Sequence, residues 1–289
     1  MADLSDLEVS SLFNVKGWVA VVSGGGTGLG LVTANALAVN GVKVYITGRR
    51  VEKLKDAEMQ HPSGGSITGL QMDVTSKESI REVVKFIESK EKFINLLINN
   101  AGVSSVNYGA KGMPKGDVRA ISEEMMNNQD FEDWTWIYKV NVASYYFTSV
   151  AFLPLLCAAR DHGYPEAGNI LNISSISGIT KDSQNGQFSY NASKAATISL
   201  TEQLAHDLKR PDLLVRVNTL APGYFPSEMT PIANDEGQKP EFFRERWGTP
   251  FGRAGESRDY AQALLNFAVN QFVTGSTLMI DGGFMLAHA

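Results

Sequence analysis

The chain has almost no cysteine: Cys157 is the single one among 289 residues, so no disulfide can form within it. That suits a reducing compartment, and a cytoplasmic protein is the expectation. Histidine is scarce as well. The four at positions 61, 162, 206 and 288 have no metal-ligand spacing, and one cysteine cannot complete a zinc set, so no metal is expected. There is no dense basic run, and 26 basic against 31 acidic residues leave a net charge of −5, which argues against nucleic acid as a partner. No uninterrupted apolar stretch approaches the roughly twenty residues of a membrane span, so no membrane partner is expected. The first residues carry Asp3, Asp6 and Glu8 among single apolar residues instead of a basic flank and an apolar signal core. No Gly-Lys-Ser/Thr follows the glycine-rich turn, and no Gly-x-Ser-x-Gly elbow occurs, which excludes a triphosphate-binding P-loop and counts against an α/β-hydrolase. Repeats and low-complexity linkers are missing too, so one domain over residues 1–289, with residues 1–14 as an N-terminal extension, is the expected organisation.

What is present is a regular alternation. Short apolar runs at residues 18–22, 42–47, 67–72, 96–98, 169–173, 214–220 and 277–280 read as strands. Between them, helical spacing covers the stretch after residue 28 and residues 51–59, 77–89, 131–159, 188–209 and 257–269. Alternating strands and helices predict an α/β fold, a doubly wound parallel sheet of the Rossmann type with about seven strands and helices on both faces. Two segments break the rhythm. Residues 104–130 and 227–255 are rich in loop-forming residues and are expected near the substrate site. In such sheets ligands sit beyond the carboxyl ends of the strands, which directs attention to the residues following each one.

After the first strand comes Ser23-Gly24-Gly25-Gly26-Thr27-Gly28-Leu29-Gly30. Glycines allow close approach of a phosphate to main-chain N–H groups, and the helix that follows points its positive end at that anion. Farther on, Tyr190 and Lys194 stand four apart at the start of a helix and so share a face. A phenol is a poor acid-base catalyst at neutral pH, and a neighbouring ammonium is expected to bring its pKa toward the working range. Upstream, Asn172-Ile173-Ser174-Ser175-Ile176-Ser177-Gly178 ends a buried strand in a cluster of hydroxyls.

With Gly24, Gly28 and Gly30 in a Gly-x-x-x-Gly-x-Gly frame and the Tyr-x-x-x-Lys pair, the chain resembles the short-chain dehydrogenase/reductase family in its single-domain branch, over about residues 15–284. The resemblance implies a nicotinamide cofactor held by Ser23, Gly24, Gly26, Thr27, Gly28, Leu29 and Gly30. It implies further cofactor contacts from Asp73 and Val74 on the adenine, from the Asn100, Ala101 and Gly102 loop, and from Tyr190 and Lys194. Pro222, Gly223, Phe225 and Ser227 would lie beside the nicotinamide. The second strand ends in Arg49 and Arg50 with no carboxylate, so two guanidiniums stand where an adenosine 2′-phosphate would lie and NADP(H) is favoured. Catalysis would fall to Asn141, Ser175, Tyr190 and Lys194. The Asn-Ile-x-Ser-x-x-Gly frame selects Ser175 as the serine that holds the substrate carbonyl, whereas counting back from Tyr190 selects Ser177. Asn141 matches the asparagine that orders a proton-relay water, and a purely structural buried asparagine is the alternative.

The run Phe225-Pro226-Ser227-Glu228-Met229-Thr230 looks most like the rhamnolipid-type 3-oxoacyl reductases within that family. Phe242, Phe243 and Trp247 are candidates for either an apolar substrate wall or plain core. Val273-Thr274-Gly275 and Asp281-Gly282-Gly283 match the family's C-terminal end, which implies a homodimer or homotetramer. The implied function is NADPH-dependent reduction of a ketone to a secondary alcohol, on a small-molecule carbonyl or alcohol substrate such as a β-ketoacyl or polyketide-like compound. The alternatives are a cofactor-binding sensor or scaffold, or a non-reductase reaction on the same scaffold.

Overall fold

The computed structural model describes residues 4–229 and 239–288. Its centre is one sheet of eight strands in the order β3-β4-β2-β1-β5-β6-β7-β8. These are β1 (Val19–Ser23), β2 (Lys43–Gly48), β3 (Met59–Gln60), β4 (Ser66–Gln71), β5 (Leu96–Asn99), β6 (Asn169–Ile173), β7 (Arg216–Pro222) and β8 (Thr277–Ile280). Every pairing is parallel except the edge pair β3 and β4.

Alternation along each strand divides the core in two. Ala20, Val22, Ile46 and Ile98 face the side covered by α2 (Gly28–Val39) and α9 (Ser257–Val269), packing on Leu37, Tyr260 and Leu264. Val19, Val21, Tyr45 and Leu97 face the other side, packing on Ile80 and Val84 of α4 (Lys77–Glu88), Phe152 of α7 (Ser144–Cys157) and Leu204 of α8 (Phe188–Leu208). Strands buried on both faces read as continuous apolar runs, which is why the sequence located them well. The chain winds outward from β1 through β2 to β4 and then returns to β5 on the other side of β1. That reversal opens a crevice at the carboxyl ends of β1 and β5, where a ligand can enter between the diverging loops.

Three elements differ from the sequence reading. The eighth strand, Met59–Gln60, falls where helix was expected to run on. Helix α3 (Val51–Ala57) stops earlier, and Met59 pairs with Ile67 while the Glu58 carboxylate accepts the Gly69 N–H at 3.0 Å. Within residues 104–130, read as loop, lies the helix α5 (Val118–Asn128), capped by Asp117, whose carboxylate accepts the N–H groups of Arg119 and Ala120. The helical pattern at 131–159 is α6 (Phe131–Tyr138), one π turn at Lys139–Ala143, then α7. The whole run Phe131–His162 has the length and, at a mean hydropathy of 1.6, the apolarity of a membrane span. Here α7 packs its apolar residues against α4, β5 and β6. The N-terminal extension forms a short 3-10 turn and α1 (Val9–Leu12), both exposed.

Candidate active site

The turn between β1 and α2 is shaped by what its glycines leave out. Gly24 has φ of +66°, and a Cβ there would stand 2.9 Å from Ala101 Cα. A Cβ on Gly30 would overlap the Gly24 carbonyl and come within 2.5 Å of Asn100 Nδ2. Without those atoms the loop after β5 lies directly against the turn, and Asn100 Nδ2 donates to the carbonyls of Ser23 and Gly24, both at 3.1 Å. Ser23 completes the joint. Its hydroxyl accepts the N–H groups of Asn100 at 3.0 Å and Ala101 at 3.2 Å and donates to Ile98 O at 3.4 Å. Ser23 therefore sits behind the turn, off the cavity wall, whereas Gly24, Gly26, Thr27, Gly28, Leu29, Gly30, Asn100, Ala101 and Gly102 line a cavity of about 640 Å³. Asn99 is buried and structural, donating to Ser149 Oγ and Asn172 Oδ1.

Both arginines after β2 line the cavity, with different partners. Arg49 lines the cavity with its guanidinium 5.8 Å from the ring centre of Trp136. Arg50 donates to Thr27 Oγ1 at 3.2 Å and forms an ion pair with Glu228 at 2.8 Å, strapping the glycine turn to the segment after β7. Asp73 and Val74 also line the cavity. Partial burial works to raise the Asp73 carboxyl, but bonds from the Thr75 N–H and hydroxyl, with Arg49 and Lys139 nearby, hold it below the usual range.

Residues from three elements converge at or behind the other end of the cavity. Tyr190 and Lys194 come from the first turns of α8, Ser175 from the loop after β6 and Asn141 from the π turn. The Ser175 side chain stands beside the Tyr190 phenol and acts to lower its pKa. Ser177 lies next to it but turns away: its N–H and hydroxyl both engage Ser175 Oγ at 3.1 Å, and its own proton goes to Gln184 Oε1 at 2.6 Å. Geometry thus puts Ser175, of the two serines, against the tyrosine. Lys194 is 4% exposed and donates to Ile173 O at 2.9 Å, and burial lowers its ammonium to about 8. The same burial raises the Tyr190 phenol above its ordinary value, and Ser175 opposes this only in part. That direction is opposite to the one expected from the lysine pairing, because desolvation of the buried phenol is the largest cause of its shift. Asn141 is fully buried and does not reach the cavity. Its side chain accepts the Val103 N–H at 2.9 Å and donates to Val103 O at 2.9 Å and Ser193 Oγ at 3.0 Å, holding the β5 loop to α8.

Pro222, which ends β7, and Gly223, Phe225 and Ser227 after it line the same cavity. Phe243 is core, packed on Tyr224, and Phe242 meets Phe243 edge-on. Trp247 is the member of that trio on the cavity wall, its ring centre 4.4 Å from that of Tyr224. Thr230, the last residue of the Phe225 run, and the rest of residues 230–238 lie outside the described residues. The sequence reading missed Trp136, Gln184, Gln187 and Phe284 as lining residues. None belongs to a motif, and only their placement in space reveals them. Among the described residues no cluster of His, Cys, Asp or Glu could hold a metal.

The sequence profile of the short chain dehydrogenases matches residues 18–238. The chain belongs to that family. Short-chain dehydrogenases are oxidoreductases that bind a nicotinamide cofactor and act on small molecules, and the glycine cradle at Gly24 and Gly30 with the Tyr190–Lys194 pair fits such a group. Among family members the chain is 36% identical to the short-chain dehydrogenase/reductase PhomF of Diaporthe leptostromiformis, over 96% of this chain and 94% of that one. It is 29% identical to the rhamnolipids biosynthesis 3-oxoacyl-[acyl-carrier-protein] reductase of Pseudomonas aeruginosa, over 95% of this chain and 98% of that one. A solved family structure, the Pseudomonas aeruginosa RhlG/NADP active-site complex, superposes with a TM-score of 0.77 at 27% identity, covering 94% of this chain and 98% of the other.

Proposed function

We propose that this chain is a single-domain, cytoplasmic NADPH-dependent ketoreductase that converts a small-molecule ketone, of β-ketoacyl or polyketide-like type, to a secondary alcohol. The observation that carries the reading is one continuous cavity with Arg49 and no carboxylate after β2 at one end and Ser175, Tyr190 and Lys194 at the other. Likeness to a 3-oxoacyl reductase and to an NADP complex supports it. A homodimer or homotetramer is part of the reading, supported by exposed apolar residues such as Phe272 and Met279 at the β8 end.

In this reading the glycine turn with Thr27 and Leu29 holds the pyrophosphate, Arg49 the 2′-phosphate, Asp73 and Val74 the adenine side, and Asn100 to Gly102 the ribose side. Pro222, Gly223, Phe225 and Ser227 flank the nicotinamide. When bound, the reduced cofactor supplies a hydride. Ser175 and Tyr190 hydrogen-bond the substrate oxygen, and Tyr190 releases its proton to that oxygen as charge develops on it. A phenol raised by burial is fully protonated at neutral pH and so is ready to donate. Lys194 supplies positive charge beside it and reaches the ribose hydroxyls. Asn141, with both ends of its amide engaged, acts by holding the Gly102–Val103 loop in place and supports the path that returns a proton.

The test is NADPH consumption by wild type and Tyr190→Phe over a panel of β-ketoacyl thioesters, aromatic ketones and diketones. Turnover of at least one ketone that falls by about a hundredfold or more in the variant is the expected outcome. A protein that binds NADPH and reduces nothing, or a variant as active as wild type, would overturn the reading.

A further inference from the structure

Gln184 stands in the left-handed region at φ +52° and is followed by Asn185 at +65°, two consecutive non-glycine residues in a conformation L side chains rarely adopt. The loop is held there from several sides. The Gln184 N–H donates to the Asp182 carboxylate at 2.8 Å, and Gln187 Nε2 donates to Gln184 O at 3.1 Å. From the 104–130 segment and its end, the Tyr108 N–H donates to Asn185 O at 2.9 Å and Gln129 Nε2 to Gly186 O at 3.1 Å. Strain so thoroughly over-determined marks a position whose side chain must be somewhere in particular.

That place is the cavity wall, one serine away from the reacting centre. Gln184 Oε1 takes the Ser177 proton at 2.6 Å, and Ser177 Oγ takes that of Ser175 at 3.1 Å. The acceptor half of the amide is thereby used, and Nε2 has no hydrogen-bond partner among the described residues. An amide fixed by its oxygen presents two N–H donors in a set direction, here open to the cavity and free to meet a ligand.

We propose that Gln184 is a specificity-determining residue whose Nε2 binds a second oxygen of the substrate, so that the preferred ketones carry an acceptor oxygen β to the reacting carbonyl. The proposal rests on the ketoreductase reading. Because only two short hydrogen bonds separate Ser175 Oγ from Gln184 Oε1, the oxygens held by the serine and by the amide belong to one compact fragment, as in a β-keto ester or thioester. Tyr224 and Trp247, also on the cavity wall, offer the rest of such a substrate an aromatic surface.

The test compares ethyl benzoylacetate with hexanophenone, which has the same length without the ester oxygens. Dissociation constants are measured on the full chain saturated with NADP⁺, where no hydride can be transferred to the ketone. The variants are Gln184→Asn, which tolerates the left-handed backbone and withdraws the amide, and Gln184→Gly, which removes it without backbone strain. In both, the preference for the β-keto ester is expected to fall about tenfold while hexanophenone binding stays within about twofold. An unchanged preference in either variant, or equal losses on both ligands, overturns the proposal. NADPH oxidation with the same ketones is read separately. A Gln184-dependent binding preference without turnover upholds the amide's role and sinks the reductase, whereas turnover with an unchanged preference does the reverse.

Discussion

Lys194 shows how one side chain couples stability to chemistry. It is 4% exposed, its Nζ bonds a backbone carbonyl rather than a carboxylate, and burial lowers it to about 8. An unfolded lysine titrates near about 10.4. Between those two values the unfolded chain holds a proton that the native state has released, so this residue makes stability rise with pH across that window. Below about pH 8 the buried ammonium opposes folding, and Lys194→Met should melt higher than wild type at neutral pH while losing activity. In the proposed function reduction needs the ammonium, so kcat/KM should fall as pH rises through about 8. Tyr190, raised above its ordinary value, titrates too high to set that limb. A pH–rate profile still flat at about pH 9.5 would sink the assignment of that limb to Lys194.

At the scale of elements, the joint between the β1–α2 turn and the loop after β5 depends on a missing methyl group. A Cβ on Gly30 meets the Gly24 carbonyl and Asn100 Nδ2, whereas one on Gly26 meets only Lys53 atoms at 3.4 Å. Gly30→Ala should cost about 1–3 kcal/mol and weaken NADPH binding, whereas Gly26→Ala should stay within about 0.5 kcal/mol. Denaturant melts of the two variants check this, and equal stabilities would refute it. The same scale explains what was and was not legible. Strands buried on both faces announced themselves as apolar runs, and α4 through Ile80, Val83, Val84 and Ile87 as an amphipathic stripe. Helix α5 buries no residue at all; its short stripe of Val118, Ile121, Met125 and Met126 lies within a segment otherwise rich in loop-forming residues, and Asp117 caps it. Strand β3 is two residues long and exists because β4 offers it an edge.

For the molecule as a whole, the consequence of the winding is that one cavity is shared by loops after β1, β2, β4, β5, β6 and β7. A ligand that fills it stabilises the folded state as a unit. At about a hundred times its dissociation constant, NADPH should add about 2.7 kcal/mol, a rise in melting temperature of about 4–5 °C for a chain of this size. NADH at the same concentration should give a markedly smaller rise. Arg49→Ala should bring the NADPH value down to that of NADH, because in the proposed function its guanidinium holds the 2′-phosphate. Equal rises with both cofactors in wild type would remove the NADPH preference from the proposed function.

The sequence by itself determined the order of strands and helices, the glycine turn and the Tyr190–Lys194 pair, because these depend on local periodicity and on spacings of a few residues. Nearly all of the residues it offered for a cofactor line the cavity, since each follows a strand whose end is legible. What only the tertiary structure decided are contacts between segments far apart in the chain. These set Ser23 and Asn141 behind the cavity, turned Ser177 toward Gln184, tied Arg50 to Glu228, and added Trp136 and Gln184 to the wall. They also set the protonation of Tyr190 and Lys194, because a pKa shift caused by burial depends on how much water the assembled fold excludes, which no spacing along the chain records.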